Sequence, residues 1–475
     1  MAQHTVEKIG GTSMSRVNEL RDELLIGDRK GDDLYGRIFV VSAFGGITNL
    51  LLEHKKTGEP GVYGQFAASD NSHGWHDALN RVGDAMIEAH KEVLDHDGDV
   101  QLATDFVRTR IDGARNCLID LARVCSYGHF RLSEHMLQTR ELLSGLGEAH
   151  SAFVTVLMLQ RAGVDARLVD LSGWRGEGDV TLEERILGAM EGVDPMREMP
   201  IVTGYAQCKE GLMREFDRGY SEVTFSHLAA LTGAREAIIH KEFHLSSADP
   251  NLVGHGAAHK LGRTNYDVAD QLSNLGMEAI HPKAAKTLRQ AEVPLRVTNA
   301  FEPDDPGTLI DDRPAESAAV EIVTGLKLFA LELFEQDMVG VKGYDAAILD
   351  ILARHNVRIV SKVSNANTIT HYVDASMKVL RRVENDLSRL YPSSEISTRA
   401  ISMASVIGRD LSGLSVLTRG LQAIAGAGLE AIGASQGPRN VDVQFIMERD
   451  DLEPAIAALH KALVEASAQP MARAA

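Results

Sequence analysis

Cysteine is nearly absent: Cys117, Cys125 and Cys208 are the three in 475 residues, and no two form a CxxC pair. A disulfide framework or structural zinc site is therefore not expected, and a reducing compartment fits. Aromatic residues reach only 5 %, with two tryptophans. No apolar run approaches the roughly 20 residues of a membrane span. The opening residues, MAQHTVEKIGG, lack the basic start and apolar stretch of a signal peptide. Basic charge is also short, with 49 Lys and Arg against 67 Asp and Glu, a net charge of −18. Nucleic-acid and anionic-membrane binding need clustered cations, so neither partner is expected, and a cytoplasmic location is. The deficit is uneven. Residues 1–350 hold 55 acidic and 35 basic residues, residues 351–475 hold 12 and 14. What is present, 44 % hydrophobic and 24 % charged residues, describes a globular chain long enough for several cores.

Residues 4–9 (HTVEKI) read as a short strand that stops at Gly10-Gly11. Met14, Val17, Leu20, Leu24 and Leu25 then recur at helical spacing, with Thr12, Ser13 and Ser15 available as caps. The plan repeats at residues 37–43 (RIFVVSA), broken by Gly45-Gly46 before a helix over 47–56, and again at residues 200–204 (PIVTG). Residues 167–170 (RLVD) read as a further buried strand. Strand, glycine turn and helix in repetition predict an α/β fold with a mostly parallel sheet sandwiched by helices. Apolar stripes at Leu79, Val82, Met86, Val93 and Leu94, and at Ile111, Ala114, Cys117, Leu118, Leu121 and Cys125, predict two helices packed on a core. Both cysteines there are expected as small buried hydrophobes. Residues 142–163, apolar almost all round, predict a central helix.

Residues 301–316 (FEPDDPGTLIDDRPAE), rich in Pro and Asp, read as a linker. Beyond it the rhythm changes. Residues 322–334 and 337–342 read as strands, then DAAILDILARHN as a helix, RIVSKV and ITHYVDAS as strands and MKVLRRVENDLSRLY as a helix. ISMASVIG, LEAIGAS and VDVQFIME then read as strands, LTRGLQAIAGAG and LEPAIAALHKALVEA as helices. This is a tandem of βαββα-like α+β units of about 70 residues each. The tail 468–475 is expected to be disordered.

Two motifs point to phosphate chemistry. In Lys8-Ile9-Gly10-Gly11-Thr12-Ser13 the glycines let backbone N–H groups approach a phosphate, and the lysine would neutralise a transferred phosphoryl group. The same residues also read as a plain strand-to-helix turn, and no Walker A loop occurs. The second glycine turn, Phe44 to Asn49, favours phosphate, because strand ends converge at the switch point of an open sheet. The histidines His240, His244, His255 and His259 do not follow HExxH, and a polar loop beside a ligand pocket is preferred to a metal site.

Taken in order, these motifs resemble the aspartokinases of the amino-acid kinase family, from Lys8 to about Val464. The family's K-F-G-G-T-S appears as Lys8 to Ser13 and its V-V-S-A-x-x-G-I-T-N as Val40 to Asn49. G-E-L-x-S is similar to Arg140 to Ser144, and G-R-G-G-S-D to Asp217-Arg218-Gly219-Tyr220-Ser221-Glu222. His281-Pro282 and Pro306 to Leu309 match the motifs that close the catalytic domain. The tandem units resemble paired ACT domains. The resemblance implies a kinase domain over 1–300, a linker with first strand over 301–325, and ACT domains over 326–398 and 399–467. The strand near 322–329 is expected to join the second ACT unit.

The implied reaction is transfer of the ATP γ-phosphoryl group to the β-carboxylate of L-aspartate, with Mg²⁺ on the nucleotide phosphates and no metal ligand from the protein. The resemblance assigns Lys8, Arg218 and Glu222 to catalysis. It assigns Ser42, Thr48, Glu141, Arg218 and Glu222 to the substrate, Arg218 as a carboxylate fork and Glu141 on the ammonium. Gly10, Gly11, Thr12, Ser13, Lys241, Glu242, Asp249 and Lys283 fall to the nucleotide, and Met338, Lys342, Gly343, Tyr344, Ser364 and Asn365 to an effector. A homodimer or dimer of dimers through the ACT domains is implied.

Departures from the family sharpen the expectation. Glu222 replaces the loop aspartate, the T-D-x-x-G-x-Y nucleotide segment is rewritten over 241–251, and Glu278 replaces a lysine that Lys283 stands near. Val360 and Ser364-Asn365-Ala366 replace the residues of lysine-sensitive members, so lysine inhibition is not expected. Together these resemble the aspartokinases that accompany ectoine synthesis. The alternatives are a glutamate 5-kinase or acetylglutamate kinase type, which the tandem ACT units oppose, and a non-catalytic amino-acid sensor, which the intact Lys8, Gly10, Gly11, Arg218 and Glu141 oppose.

Overall fold

The computed structural model describes residues 4–55, 57–68, 74–176, 178–216, 219–277 and 280–466. The chain forms two compact units, Met1–His244 with Ile280–Asp311, and Leu245–Ala279 with Asp312–Ala475. This division differs from a boundary near residue 300. Val268, Leu272 and Leu275 explain it, since they share one core with Ile322, Leu328, Val360, Met403 and Ile446 of the C-terminal sheet.

The strands are β1 (Thr5–Ile9), β2 (Arg37–Val41), β3 (Ala166–Val169), β4 (Met199–Thr203), β5 (Glu236–Lys241), β6 (Arg263–Asn265), β7 (Leu295–Asn299), β8 (Thr308–Asp311), β9 (Ile322–Phe334), β10 (Arg358–Ser364), β11 (Thr368–Asp374), β12 (Glu395–Ile407), β13 (Gly433–Gln436) and β14 (Asp442–Glu448). In the first unit they run β3-β4-β2-β1-β5-β7-β8, parallel until β8 turns back antiparallel on β7. β1, β2 and β4 are buried along their whole length, as a parallel sheet covered on both faces requires. The polar residues on one face satisfy each other. Glu7 accepts two bonds from Arg37, at 2.8 and 2.9 Å, and His240 lies between Glu7 and Thr298 at 2.8 and 2.7 Å.

Three expectations for this unit are corrected. The 301–316 segment is not all linker, because β8 lies within it. Gly307 makes the hairpin with φ +64°, where a Cβ would stand 2.3 Å from the Val297 carbonyl. Cys117 is exposed and Cys125 half-buried, since the buried stripe of helix Asp97–Cys125 ends at Leu118. The helix from Ile47 stops at Leu51. The central helix, Met136–Arg161, is long and apolar enough to span a membrane, but 89 % of its most apolar window is buried in the protein.

The second unit holds an antiparallel sheet in the order β10-β11-β9-β12-β14-β13. β9 and β12 pair over all thirteen residues, from Ile322–Ile407 to Phe334–Glu395. The order β-α-β-β-α occurs twice: β9, Tyr344–Arg354, β10, β11, Met377–Leu390, then β12, Val416–Gly426, β13, β14, Leu452–His460. β9 serves both halves. Its Val323 packs with Val416, Ile424 and Leu459, while its Leu331 and Leu333 pack with Ile351 and Leu380. The strand expected at 337–342 is absent. Gln336–Met338 form a 3-10 turn, and Gly340 and Gly343 take φ of 79° and 106°, which no strand accommodates.

Candidate active site

Successive strand residues face opposite sides, so Lys8 points away from the Glu7 network. Its ammonium meets Glu222 Oε1 at 3.2 Å, with each side chain about one-tenth exposed. Glu222 lies in the first turn of helix Tyr220–Thr232, and its Oε2 accepts the His281 N–H at 2.5 Å. The glutamate that replaces the family's aspartate thus spans two partners. Burial pushes its carboxyl upward, but Lys8, Lys241 and the His281 N–H outweigh that and hold it ionised, below the usual range. Gly219 admits the close approach: a Cβ there would stand 2.6 Å from the His281 ring. Lys283 follows on helix Pro282–Gln290 and stacks its ammonium over Phe216, 4.5 Å from the ring centre.

The two glycine turns touch. A Cβ on Gly11 would lie 3.0 Å from the Ala43 carbonyl, and Gly45 N–H donates to Ser15 Oγ at 3.1 Å. Gly10 and Gly11 are half-buried, Thr12 is exposed and Ser13 is buried. Ser13 Oγ donates to Glu242 at 2.5 Å, which ties the first turn to the end of β5. Ser42 N–H donates to the Ile9 carbonyl at 3.2 Å, and Thr48 is half-buried in helix Ile47–Leu51. Lys8, Gly10, Gly11, Ser13, Ser42, Lys241 and Glu242 therefore gather at the C-terminal ends of β1, β2 and β5, where open parallel sheets bind ligands.

Glu141 is engaged elsewhere. Its Oε2 accepts the Tyr205 hydroxyl at 2.5 Å and its Oε1 the Met213 N–H at 2.7 Å. Burial raises its carboxyl against these bonds. It lines a cavity of about 540 Å³ with Arg110, Trp174, Tyr205 and Lys209, which Lys8, Ser42, Thr48 and Glu222 do not line. Arg140 forms a two-bond pair with Glu53. Arg218, Asp217 and Glu278 lie outside the described residues. Asp249 belongs to the second unit, where it caps helix Pro250–Val253 through Asn251 N–H at 2.8 Å.

The four histidines do not form one cluster. His240 belongs to the buried Glu7 network, and His244 bonds Glu302 at 3.0 Å. His255 and His259 are exposed in the second unit. The effector residues also divide. Ser364 and Asn365 line a cavity of about 500 Å³ with Glu332, Tyr372 and Arg399, whereas Met338, Lys342, Gly343 and Tyr344 do not. Met338 is buried in the core, and Tyr344 stacks on Tyr391 at 4.7 Å. Sequence reasoning missed Glu148, buried two helical turns beyond Glu141. Gly147-Glu148-Ala149-His150-Ser151, which keeps the glycine, glutamate and serine spacing of G-E-L-x-S, was the available signal.

A parallel sheet carrying a lysine at a strand end, with two touching glycine turns beside it, agrees with the family match: the chain belongs to the amino acid kinase family, whose model matches residues 3–299. Within that family it is one of the aspartate kinases. It is 52 % identical over 464 residues to aspartate kinase Ask_Ect of Stutzerimonas stutzeri, covering 97 % of this chain and 98 % of that protein. It is 24 % identical to lysine-sensitive aspartokinase 3 of Escherichia coli, over 98 % of this chain and all of that one. The fold is shared with the solved E. coli aspartokinase III in complex with lysine and aspartate, with a TM-score of 0.73, 19 % identity, and coverage of 97 % and 100 %.

Proposed function

We propose that the first unit transfers the γ-phosphoryl group of ATP to the β-carboxylate of L-aspartate, giving 4-phospho-L-aspartate and ADP. The observation that carries this reading is the buried Lys8–Glu222 pair beside the two glycine turns. A carboxylate oxygen of aspartate attacks the γ-phosphorus as the bond to ADP breaks, so no proton has to move and no covalent enzyme intermediate is needed. The protein's task is positioning and charge neutralisation. Lys8 would leave Glu222 to meet the transferring phosphoryl group. Backbone N–H groups of Gly10 and Gly11 would approach the phosphates, and Lys241 and Lys283 would add positive charge. Ser42, Thr48, Glu141 and Arg218 would hold aspartate, which requires Glu141 to exchange Tyr205 or Met213 for the substrate ammonium.

Mg²⁺ would enter on the nucleotide's phosphates. Ser13 and Glu242, joined at 2.5 Å at the first turn, offer the hard oxygen donors it takes, and the ion supplies charge neutralisation between the phosphates. The tandem βαββα units would sense an amino-acid end product, with Ser364 and Asn365 at the cavity nearest to that role, and would pair copies of the chain into a homodimer or dimer of dimers. ATP as donor fits a cytoplasmic location. The likeness to Ask_Ect supports supply of ectoine synthesis.

A hydroxamate trap of the acyl phosphate, run with aspartate, glutamate and N-acetylglutamate, tests the acceptor. Product from aspartate alone is expected. Faster product from either other acceptor overturns the assignment, and none from any of them favours a non-catalytic sensor.

A further inference from the structure

His244 has no part in the chemistry above. It follows β5 by three residues, inside the first unit, and its side chain is 10 % exposed. Two carboxylates from the connection between β7 and β8 face it. Glu302 Oε2 meets Nε2 at 3.0 Å, and Asp305 Oδ1 stands 3.7 Å from Nδ1. One donor atom from each of the three residues lies within 4.8 Å of the other two. The connection holds these carboxylates through its own bonds. Asn299 Nδ2 donates to Glu302 Oε1 at 3.0 Å, and Gly307 N–H to Asp305 Oδ1 at 2.9 Å. Ala300 N–H donates to the Lys241 carbonyl at 2.7 Å, which joins the ends of β5 and β7.

His244 Nδ1 is the odd atom. It is buried and has no hydrogen-bond partner among the described residues. A nitrogen so placed is costly whether it carries a hydrogen or a lone pair. The 3.7 Å to Asp305 is too long for a hydrogen bond. It is close to the separation of two ligands on one ion, since donors about 2.0–2.2 Å from a tetrahedral metal stand about 3.3–3.6 Å apart. The Nε2 side is already arranged for that role. A carboxylate that accepts Nε2–H fixes the tautomer and turns the Nδ1 lone pair toward a metal. We propose that His244 and Asp305 ligate a divalent transition-metal ion, with Glu302 orienting the imidazole and water completing the coordination. An imidazole with carboxylates suits Zn²⁺ and its neighbours and not Mg²⁺, which takes oxygen donors. The bound ion would pin the loop after β5 to the connection before β8. The pattern is hidden in the sequence because Glu302 follows His244 by 58 residues.

The test is titration of the full chain, stripped with a chelator, with Zn²⁺ in a calorimeter, beside a thermal melt at each zinc concentration. Saturable binding near one equivalent is expected, with a melting temperature that climbs as zinc is added. Glu302→Gln is expected to weaken binding about 10- to 100-fold, and His244→Gln and Asp305→Asn by at least that much. The double variant His255→Ala/His259→Ala, whose histidines are exposed in the second unit, should bind as the wild type does. Mg²⁺ in about hundredfold excess should not displace the ion. Binding that survives in folded His244→Gln, binding lost in the His255/His259 variant, displacement by Mg²⁺, or no zinc uptake by the wild type each overturns the proposal. Should His244→Gln or Asp305→Asn fail to fold, anomalous diffraction at the zinc edge from wild-type crystals places the ion directly, and a site away from His244 and Asp305 overturns it. Zinc binding is measured without turnover, so the outcome is independent of the kinase reading.

Discussion

Lys8→Met removes the ammonium and keeps most of the side chain's bulk, and the consequences can be worked from the geometry. At 3.2 Å and an effective dielectric of about 20, the Lys8–Glu222 attraction is about 5 kcal/mol before desolvation is charged against it. Deleting one partner of a buried pair leaves the other uncompensated and costs about 3–5 kcal/mol. Lys241 and the His281 N–H still act on Glu222, which places the expected loss at the lower end. The sign with pH is fixed. Glu222 is depressed in the folded state, so its contribution is present above the unfolded carboxyl range and disappears as pH falls through the folded value. The penalty of Lys8→Met is therefore largest at neutral pH and shrinks in acid, where Glu222 takes up a proton. The double variant Lys8→Met/Glu222→Gln removes both charges and is expected to recover most of the stability, read as the urea midpoint at unchanged slope. Activity should not follow. Loss of a cation at the transferring phosphoryl group is expected to lower kcat by about 10²–10³ in both variants. Turnover restored in the double variant would mean that Lys8 serves only to neutralise Glu222, and the catalytic assignment would be withdrawn.

Two further outcomes are expected. Glu7→Gln leaves Arg37 charged and buried and should destabilise the first unit by about 3 kcal/mol or more near neutral pH. Burial opposes ionisation of Glu7, but Arg37 and His240 hold it well below its usual range, so wild-type stability falls as pH drops below the unfolded carboxyl value, and the variant should show a shallower fall in melting scans across that range. Millimolar lysine is expected to inhibit weakly, because Val360 is a buried core residue that offers no carboxylate to an ammonium group. A steep lysine inhibition curve in the ADP-release assay would place the effector elsewhere.

Much of the fold was legible because its signals are local. Glycine after a dense apolar strand marked β1, β2 and β4, and the tandem βαββα order followed from alternating periods of two and about four. Failures came where long-range contacts decided. FEPDDPGTLIDDRPAE looks like a linker, but Val297 recruits Thr308 into a hairpin that only the sheet makes visible. Cys117 sits beside a buried stripe in sequence yet off it in space. Residues 245–279 carry no sign of the sheet they cover, because a helix's apolar face does not name its partner. In the candidate site, motif spacing singled out Lys8, the glycine turns and Glu222, and the structure holds each at a strand end or in a first helical turn. It did not foretell that Glu141 would be bonded to Tyr205, or that Glu148 would be buried against Gly204. Those depend on which side chains the folded core presses together.

The acidity of the chain gives the buried charges their meaning. Residues 1–350 carry twenty more acidic than basic groups, and the proposed substrates, ATP and aspartate, are both anions. A field of that sign cannot steer them in, and in salt it is screened beyond about 10 Å in any case. Attraction has to be local and dry, where the dielectric is low and a single ammonium counts for more. Burial amplifies repulsion just as strongly, so every carboxylate near Lys8 must be bonded or silenced. Glu222 is bonded, by Lys8 and the His281 N–H. Glu7 faces the other side of the sheet and is neutralised there by Arg37. Glu148 is bonded to no cation among the described residues, and its burial pushes the carboxyl up to about 8 against the pull of Lys8.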